Sequence, residues 1–494
     1  MFNGLSGKSA VLIMSAALLL VSALANAQPL SLAINNGRVL DPDSGLDAIR
    51  SVGVRDGKIV EISETPLSAE HVIDASGQVV SPGFINLHTH GVSDAGQRLE
   101  LLDGITTALE LEAGAFPVTG YGEHSNLDEM AWINYGPSVG HASIRIQVVG
   151  GVDLTDMMSK GNLSMAANAF TDPATPEQIG VMRERLVQGI EQGGLGIGLL
   201  LDYMTRAIDD QEMKMVFEVA AEHHVPIFVH VRRGLAGDPA GLDEVIAMAA
   251  QTGAAVHICH LNASAMSGTL DWLRRIDIAR ADGIDITTEM FPWTAGSTSI
   301  SADVFSRNWR EIFAIDYGDV QWAETGEWLT EESFEHYRKT RPDGQTAHHY
   351  IKEQWNRDAL SSEHVLVASD AMPIVSYDRK VVPNGAGTSA RILGQFVRDE
   401  GLLSLNDAIR KLSLLPAKRL ESFAPAFANK GRIKIGADAD ITVFDPQTVS
   451  HRASYEEPFL PPTGINHVII NGQVAVKNAE LQTDVHAGRL TIAR

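Results

Sequence analysis

From residue 82 to about 420, short apolar runs alternate with amphipathic stretches of helical length. This alternation constrains the fold more than any other feature of the 494-residue chain. Residues 226–230 read as a strand between helices expected over 210–223 and 242–252. Strands over 255–260 and 285–291 flank a helix over 270–282. The helix expected over 175–192 opens at Pro176 and stops at Gly193-Gly194, the usual helix punctuation. Further strands over 106–112, 144–149, 195–201 and 365–369, with a helix over 404–412, continue the rhythm. Repeated βα units pack with parallel strands and the helices outside. About eight of them make an α/β chain of the closed (β/α)8 TIM-barrel type. An open doubly wound sheet is disfavoured, because no Gly-rich nucleotide loop follows a strand.

The two ends of the chain read differently. Short strands are expected over 31–34, 37–40, 51–55, 58–62 and 71–73, with Asn35-Asn36-Gly37 and Asp56-Gly57 as turns. Residues 439–444 and 467–476 repeat the style around Asn471-Gly472. The expected organisation is a barrel over 82–424 between two parts, 28–81 and 425–494, of one small β-sandwich. A segment over 301–362, with Trp309, Trp322, Trp328 and Trp355, breaks the βα rhythm and is expected to be a lid or a cover over the barrel. Lys8, the apolar run 10–24 and Ala25-Asn26-Ala27 have the parts of a secretory signal peptide over 1–27. Cleavage after Ala27 implies a periplasmic or secreted protein with no stable membrane insertion; a retained anchor is the alternative.

Lys and Arg number 39 against 62 Asp and Glu, a formal net charge of −23. So acidic a chain lacks the basic footprint that nucleic acid requires. The one cysteine, Cys259, excludes an internal disulfide and any multi-cysteine metal site, and is expected to be a small buried hydrophobe. A metal would therefore have to be held by carboxylates and by some of the 17 histidines.

Four histidines fall where a barrel would use them. His88 and His90 end the run 82–87, and residues two apart on a strand share a face. His230 and His260 end the strands over 226–230 and 255–260, and Asp370 follows the strand over 365–369. Strand C-termini of a barrel all open at one end, where active sites are built. Imidazole and carboxylate ligands suit Zn²⁺ and its neighbours, and an open position acidifies bound water. Two ions would need a bridging anion. Glu110 and Glu112 share one face of their strand, and Glu112, nearer its C-terminal end, is the preferred bridge. Glu110 reads more readily as a hydrogen-bonding group. His257 is expected in the barrel–helix layer, and His223, His348 and His349 at the surface.

Pro82-Gly-Phe-Ile-Asn-Leu-His-Thr-His90, the stretch 431–445 and the hairpin 466–472 resemble the metal-dependent amidohydrolase superfamily. Phe291-Pro-Trp-Thr-Ala-Gly-Ser-Thr298 is similar to a motif of its D-aminoacylase branch, as are Gly385-Ala-Gly-Thr388 and the stretch 412–417. The resemblance implies a (β/α)8 barrel with a β-sandwich from both termini, metal binding by His88, His90, His230, His260 and Asp370, and one or two Zn²⁺ ions. Three departures stand out. The stretch 195–202 lacks the lysine that bridges metals in several relatives. The turn 111–114 lacks the branch's cysteine, leaving Glu112 as the substitute. Val382-Pro383-Asn384 replaces the branch's H-P-R, so Arg379 or Arg391 is the expected carboxylate-binding arginine. The expected reaction is hydrolysis of an amide C–N bond in an N-acyl-D-amino acid by metal-activated water. Asp370 would act as general base and then acid, with Thr294 and Ser297 orienting the substrate. A cyclic-amide hydrolase, a dipeptidase or a catalytically inactive binding protein are the alternatives. A homo-oligomer is compatible with the sequence.

Overall fold

The computed structural model describes residues 29–158 and 167–493; the signal segment expected over 1–27 lies outside them. Eight strands form the central sheet: β1 (Phe84–Asn86), β2 (Ile105–Ala115), β3 (Asn134–Gly140), β4 (Ile197–Leu200), β5 (Ile227–His230), β6 (Val256–Ile258), β7 (Ile286–Met290) and β8 (Val365–Val367). Each pairs in parallel with the next in chain order. The barrel closes just beyond β1 and β8, where the Asp370 N–H donates to the His88 carbonyl at 2.9 Å and the His90 N–H to the Ala371 carbonyl at 2.8 Å.

Side chains alternate along these strands with period two. Ile227, Val229, Val256 and Ile258 face outward onto Val216, Val245 and Trp272 of the helices. Leu109, Leu111, Phe228, Cys259 and Leu366 fill the interior, joined by Leu420 and Phe427. Each such side chain contributes roughly 1.5–3 kcal/mol on burial, so a rigid frame holds the strand ends.

One expected strand, over 144–149, is corrected: residues 144–148 lie in the helix His141–Val148 and Val149 caps it, and β3 lies just before it. All seven residues of β3 are buried, yet it carries Gly136, Pro137 and Gly140. A Cβ on Gly136 would strike the Thr491 carbonyl, and one on Gly140 would lie 2.7 Å from the Ala113 carbonyl. Backbone approach this close demands glycine, and glycine hides the strand from propensity.

The terminal segments join in one nine-stranded mixed sheet. The strands expected over 31–34 and 37–40 are one strand, Leu30–Asp41, bulged between Ile34 and Gly37. Ile441–Phe444 pairs antiparallel with Val79–Pro82, tying the late segment to the start of the barrel. Between β7 and β8 a third sheet forms from Gly296–Ser299, Val320–Trp322, Glu327–Trp328 and Gln345–His348. It starts ahead of residue 301 and packs on its own aromatic core, including Phe305, Trp309, Phe313 and Phe334.

Candidate metal centre

The barrel mouth gathers the four imidazoles foreseen from the sequence. The His88 and His90 Nε2 atoms face each other at 3.3 Å, with Asp370 Oδ1 at 3.4 Å from the first and 3.5 Å from the second. Glu112 Oε1 lies 3.0 Å from His230 Nδ1 and 2.8 Å from His260 Nε2, while its Oε2 lies 3.3 Å from His88 Nε2. Two triads, His88–His90–Asp370 and Glu112–His230–His260, thus each hold their ligand atoms within 4.8 Å. Glu112 spans the space between them. Asp370 (φ 52°) and His260 (φ 35°) both have left-handed backbones, a strain typical of sites where a side chain is aimed for function.

A layer behind the imidazoles fixes them. His88 Nδ1 pairs with Glu289 Oε1 at 2.6 Å, His90 Nδ1 with Glu110 Oε2 at 2.6 Å, and His260 Nδ1 with Ser264 Oγ at 3.0 Å. Such partners hold the proton on the rear nitrogen and leave the forward lone pair for a metal. Burial opposes a charge on Glu289, but His88 and His257 outweigh it and bring the carboxyl down to about 2. Burial likewise opposes charge on His90, yet Glu110 and Asp370 prevail and carry it up to about 10. His230 is pushed down to about 4 by burial, despite Glu112, and its Nε2 has no hydrogen-bond partner among the described residues. Glu110, Glu112, Glu289 and Asp370 are all buried or nearly so. With neutral imidazoles they would form an uncompensated anionic cluster. Facing imidazole nitrogens and surplus carboxylate charge both fit a divalent cation.

Glu289 was not among the residues foreseen. It sits near the C-terminal end of β7, so the strand-end logic that found His230 applies to it equally. His257 is corrected: it faces the barrel interior, 3.2 Å from Glu289 and beside Phe228. His348 is corrected too. It is buried and lines the cavity, where burial and then Arg233 push it down to about 3. Cys259 is buried as expected, with its thiol against His88.

A cavity of about 420 Å³ opens over His90, Glu112, His230, His260 and Asp370, and the four-stranded sheet supplies one wall. Ser297 lines it; Thr294 does not, and its backbone N–H instead donates to the Tyr455 hydroxyl. Both arginines expected to hold a substrate carboxylate stand outside the cavity. Arg379 is 58% exposed and pairs with Glu324. Arg391 pairs with Glu353 and lies over the Trp293 ring. The sequence could not show that each already had an acidic partner.

Eight parallel strands, a metal-ready cluster at their C-terminal ends and a terminal β domain define the class, and residues 79–475 match the amidohydrolase family, to which the chain belongs. Among curated relatives it is 27% identical to an N-acyl-D-glutamate deacylase of Alcaligenes xylosoxydans xylosoxydans, covering 90% of this chain and 93% of the relative. It is 26% identical to a D-aminoacylase of the same organism, covering 94% and 98%. Among solved structures, an N-acyl-D-glutamate deacylase from Bordetella bronchiseptica, complexed with zinc and a phosphonate mimic of the tetrahedral intermediate, shares the fold. Its TM-score is 0.75 at 24% identity, covering 94% of this chain and all of that one.

Proposed function

We propose that this amidohydrolase cleaves the amide bond of N-acyl-D-amino acids. The observation that carries the reading is the set of four imidazoles, three with rear nitrogens held by an acid or a hydroxyl, converging on Glu112 and Asp370. His88, His90, His230, His260, Glu112 and Asp370 would hold one or two zinc ions, with Glu112 between them. Bound zinc would polarise the scissile carbonyl and acidify a water molecule. Asp370, at the edge of the cavity, takes the proton of the attacking water and returns it to the leaving nitrogen. Glu289 and Glu110 keep the imidazoles oriented while charge develops. Ser297, whose Oγ has no partner among the described residues, offers the substrate a hydrogen bond.

The D-amino acid preference rests on the two deacylase relatives and on the motif 291–298. Incubating the zinc-loaded protein with N-acyl-D- and N-acyl-L-amino acids tests it. Free amine from the D series alone supports the reading; release from neither series, or from dipeptides or cyclic amides only, refutes it. We also propose export, on the strength of the N-terminal sequence. A secreted form starting at Gln28 is expected, and an intact N-terminus on the mature protein would contradict it. Among the described residues no helix is long and apolar enough to cross a membrane.

A further inference from the structure

We propose that Arg233 binds a carboxylate of the substrate. The inference rests on the reading of the site as an N-acyl-amino-acid hydrolase. Arg233 follows β5 three residues after His230 and is the only arginine or lysine lining the cavity among the described residues. Its side chain is nine-tenths buried. A buried guanidinium normally spends its donors on a tight acidic partner. This one does not. Its Nη1 reaches Asp202 Oδ2 only at 3.4 Å, and its Nε has no partner among the described residues.

Asp202 is engaged elsewhere. It accepts the Arg233 backbone N–H at 2.9 Å and Arg307 Nη2 at 2.8 Å. The carboxylate therefore holds the loop while the guanidinium above it stays under-coordinated. The Phe313 ring, 6.0 Å from the guanidinium carbon, covers one side. Tyr350 and His348 line the same cavity, and burial keeps His348 neutral, so neither competes as an anion. A planar fork with idle donors, enclosed beside a hydrolytic centre, matches a carboxylate. In an N-acyl-amino acid that group is the α-carboxylate or, for an acidic residue, the side chain.

Turnover of two matched pairs, N-acetyl-D-alanine with its carboxamide and N-acetyl-D-glutamate with N-acetyl-D-glutamine, separates these sources in wild type, Arg233→Met and Arg233→Lys. Calorimetric binding of the same four compounds in an Asp370→Asn background reads Arg233 without turnover. Loss of a charged hydrogen bond predicts that Arg233→Met weakens binding and raises KM for the recognised carboxylate by about 10- to 100-fold. The matching amide should be unchanged and Arg233→Lys intermediate. Loss within the alanine pair assigns the α-carboxylate; loss confined to glutamate against glutamine assigns the side chain. Equal losses for acid and amide within both pairs, as a structural role would give, overturn the inference, as does an unchanged acid preference in both. Binding that depends on Arg233 without hydrolysis by the wild type would sink the functional reading and keep this one; no binding at all would sink both.

Discussion

Gly198 in β4 has no part in the chemistry, yet the site depends on it. An alanine Cβ there would lie 2.8 Å from the Leu111 carbonyl and 2.8 Å from Ser138 Oγ, and nearer still to the Glu112 carbonyl. Gly198 does not have a left-handed backbone, so alanine meets only this steric obstacle. All three neighbours are in packed strands, and ordinary contact requires β2 and β4 to part by roughly 1 Å. The displaced residue is Glu112, whose two oxygens span the two histidine triads. Overpacking of this kind costs about 1–3 kcal/mol of stability. A misplacement of about 1 Å at a catalytic centre costs on the order of 100-fold in rate. Gly198→Ala is therefore expected to fold, to lose about 100-fold in kcat/KM and to bind zinc more weakly. Steady-state kinetics and chelator competition check this. Gly180→Ala is the control. That residue lies exposed on the helix Pro176–Glu191 with nothing near its Cβ, so alanine should stabilise by about 0.5–1 kcal/mol and leave kinetics alone. Wild-type kcat/KM and zinc affinity in Gly198→Ala would refute the claim that the position of Glu112 is set by this contact.

Other consequences follow from single residues. Asp370→Asn keeps a similar shape but cannot take the water proton, so kcat should fall by about 10²- to 10⁴-fold; stopped assays with the zinc-loaded variant measure it. Glu289→Gln removes the anion behind His88 and should weaken zinc binding by about 10- to 100-fold, read by competition with a chelating dye. Lys411 donates to the Val365 carbonyl at 3.0 Å, and burial, helped by Arg410, brings it down to about 8 from 10.5. Between those values the unfolded chain binds more protons than the folded one, so stability rises with pH by about 3 kcal/mol across the window and is lost again as pH falls through about 8. Denaturant unfolding from pH 8 to 10.5 should show this rise in wild type relative to Lys411→Met, and parallel profiles would contradict it.

The barrel was legible because strands such as β5 and β8 are apolar on both faces, each a short continuous run with a polar residue at or just beyond its end. That is why His88, His90, His230, His260 and Asp370 could be placed by position alone. β3 escaped because close backbone packing fills it with glycine and proline, while Ile144 and Ile146, buried on a helix, imitate the alternation of a strand. Glu289 escaped because it lies inside β7, one residue short of the strand end, and its partner His88 is 201 residues away. The arginines were misjudged for a different reason. Whether a guanidinium is free depends on which carboxylate the fold brings to it, and Glu324, Glu353 and Asp202 are remote in sequence from Arg379, Arg391 and Arg233.

The most direct test of the account is amine release from N-acyl-D-amino acids by chelator-treated protein, before and after zinc is restored. The stripped protein should release no amine, recover on adding zinc, and bind one or two ions tightly per chain. Undiminished release without metal, or no bound zinc at saturation, would contradict it.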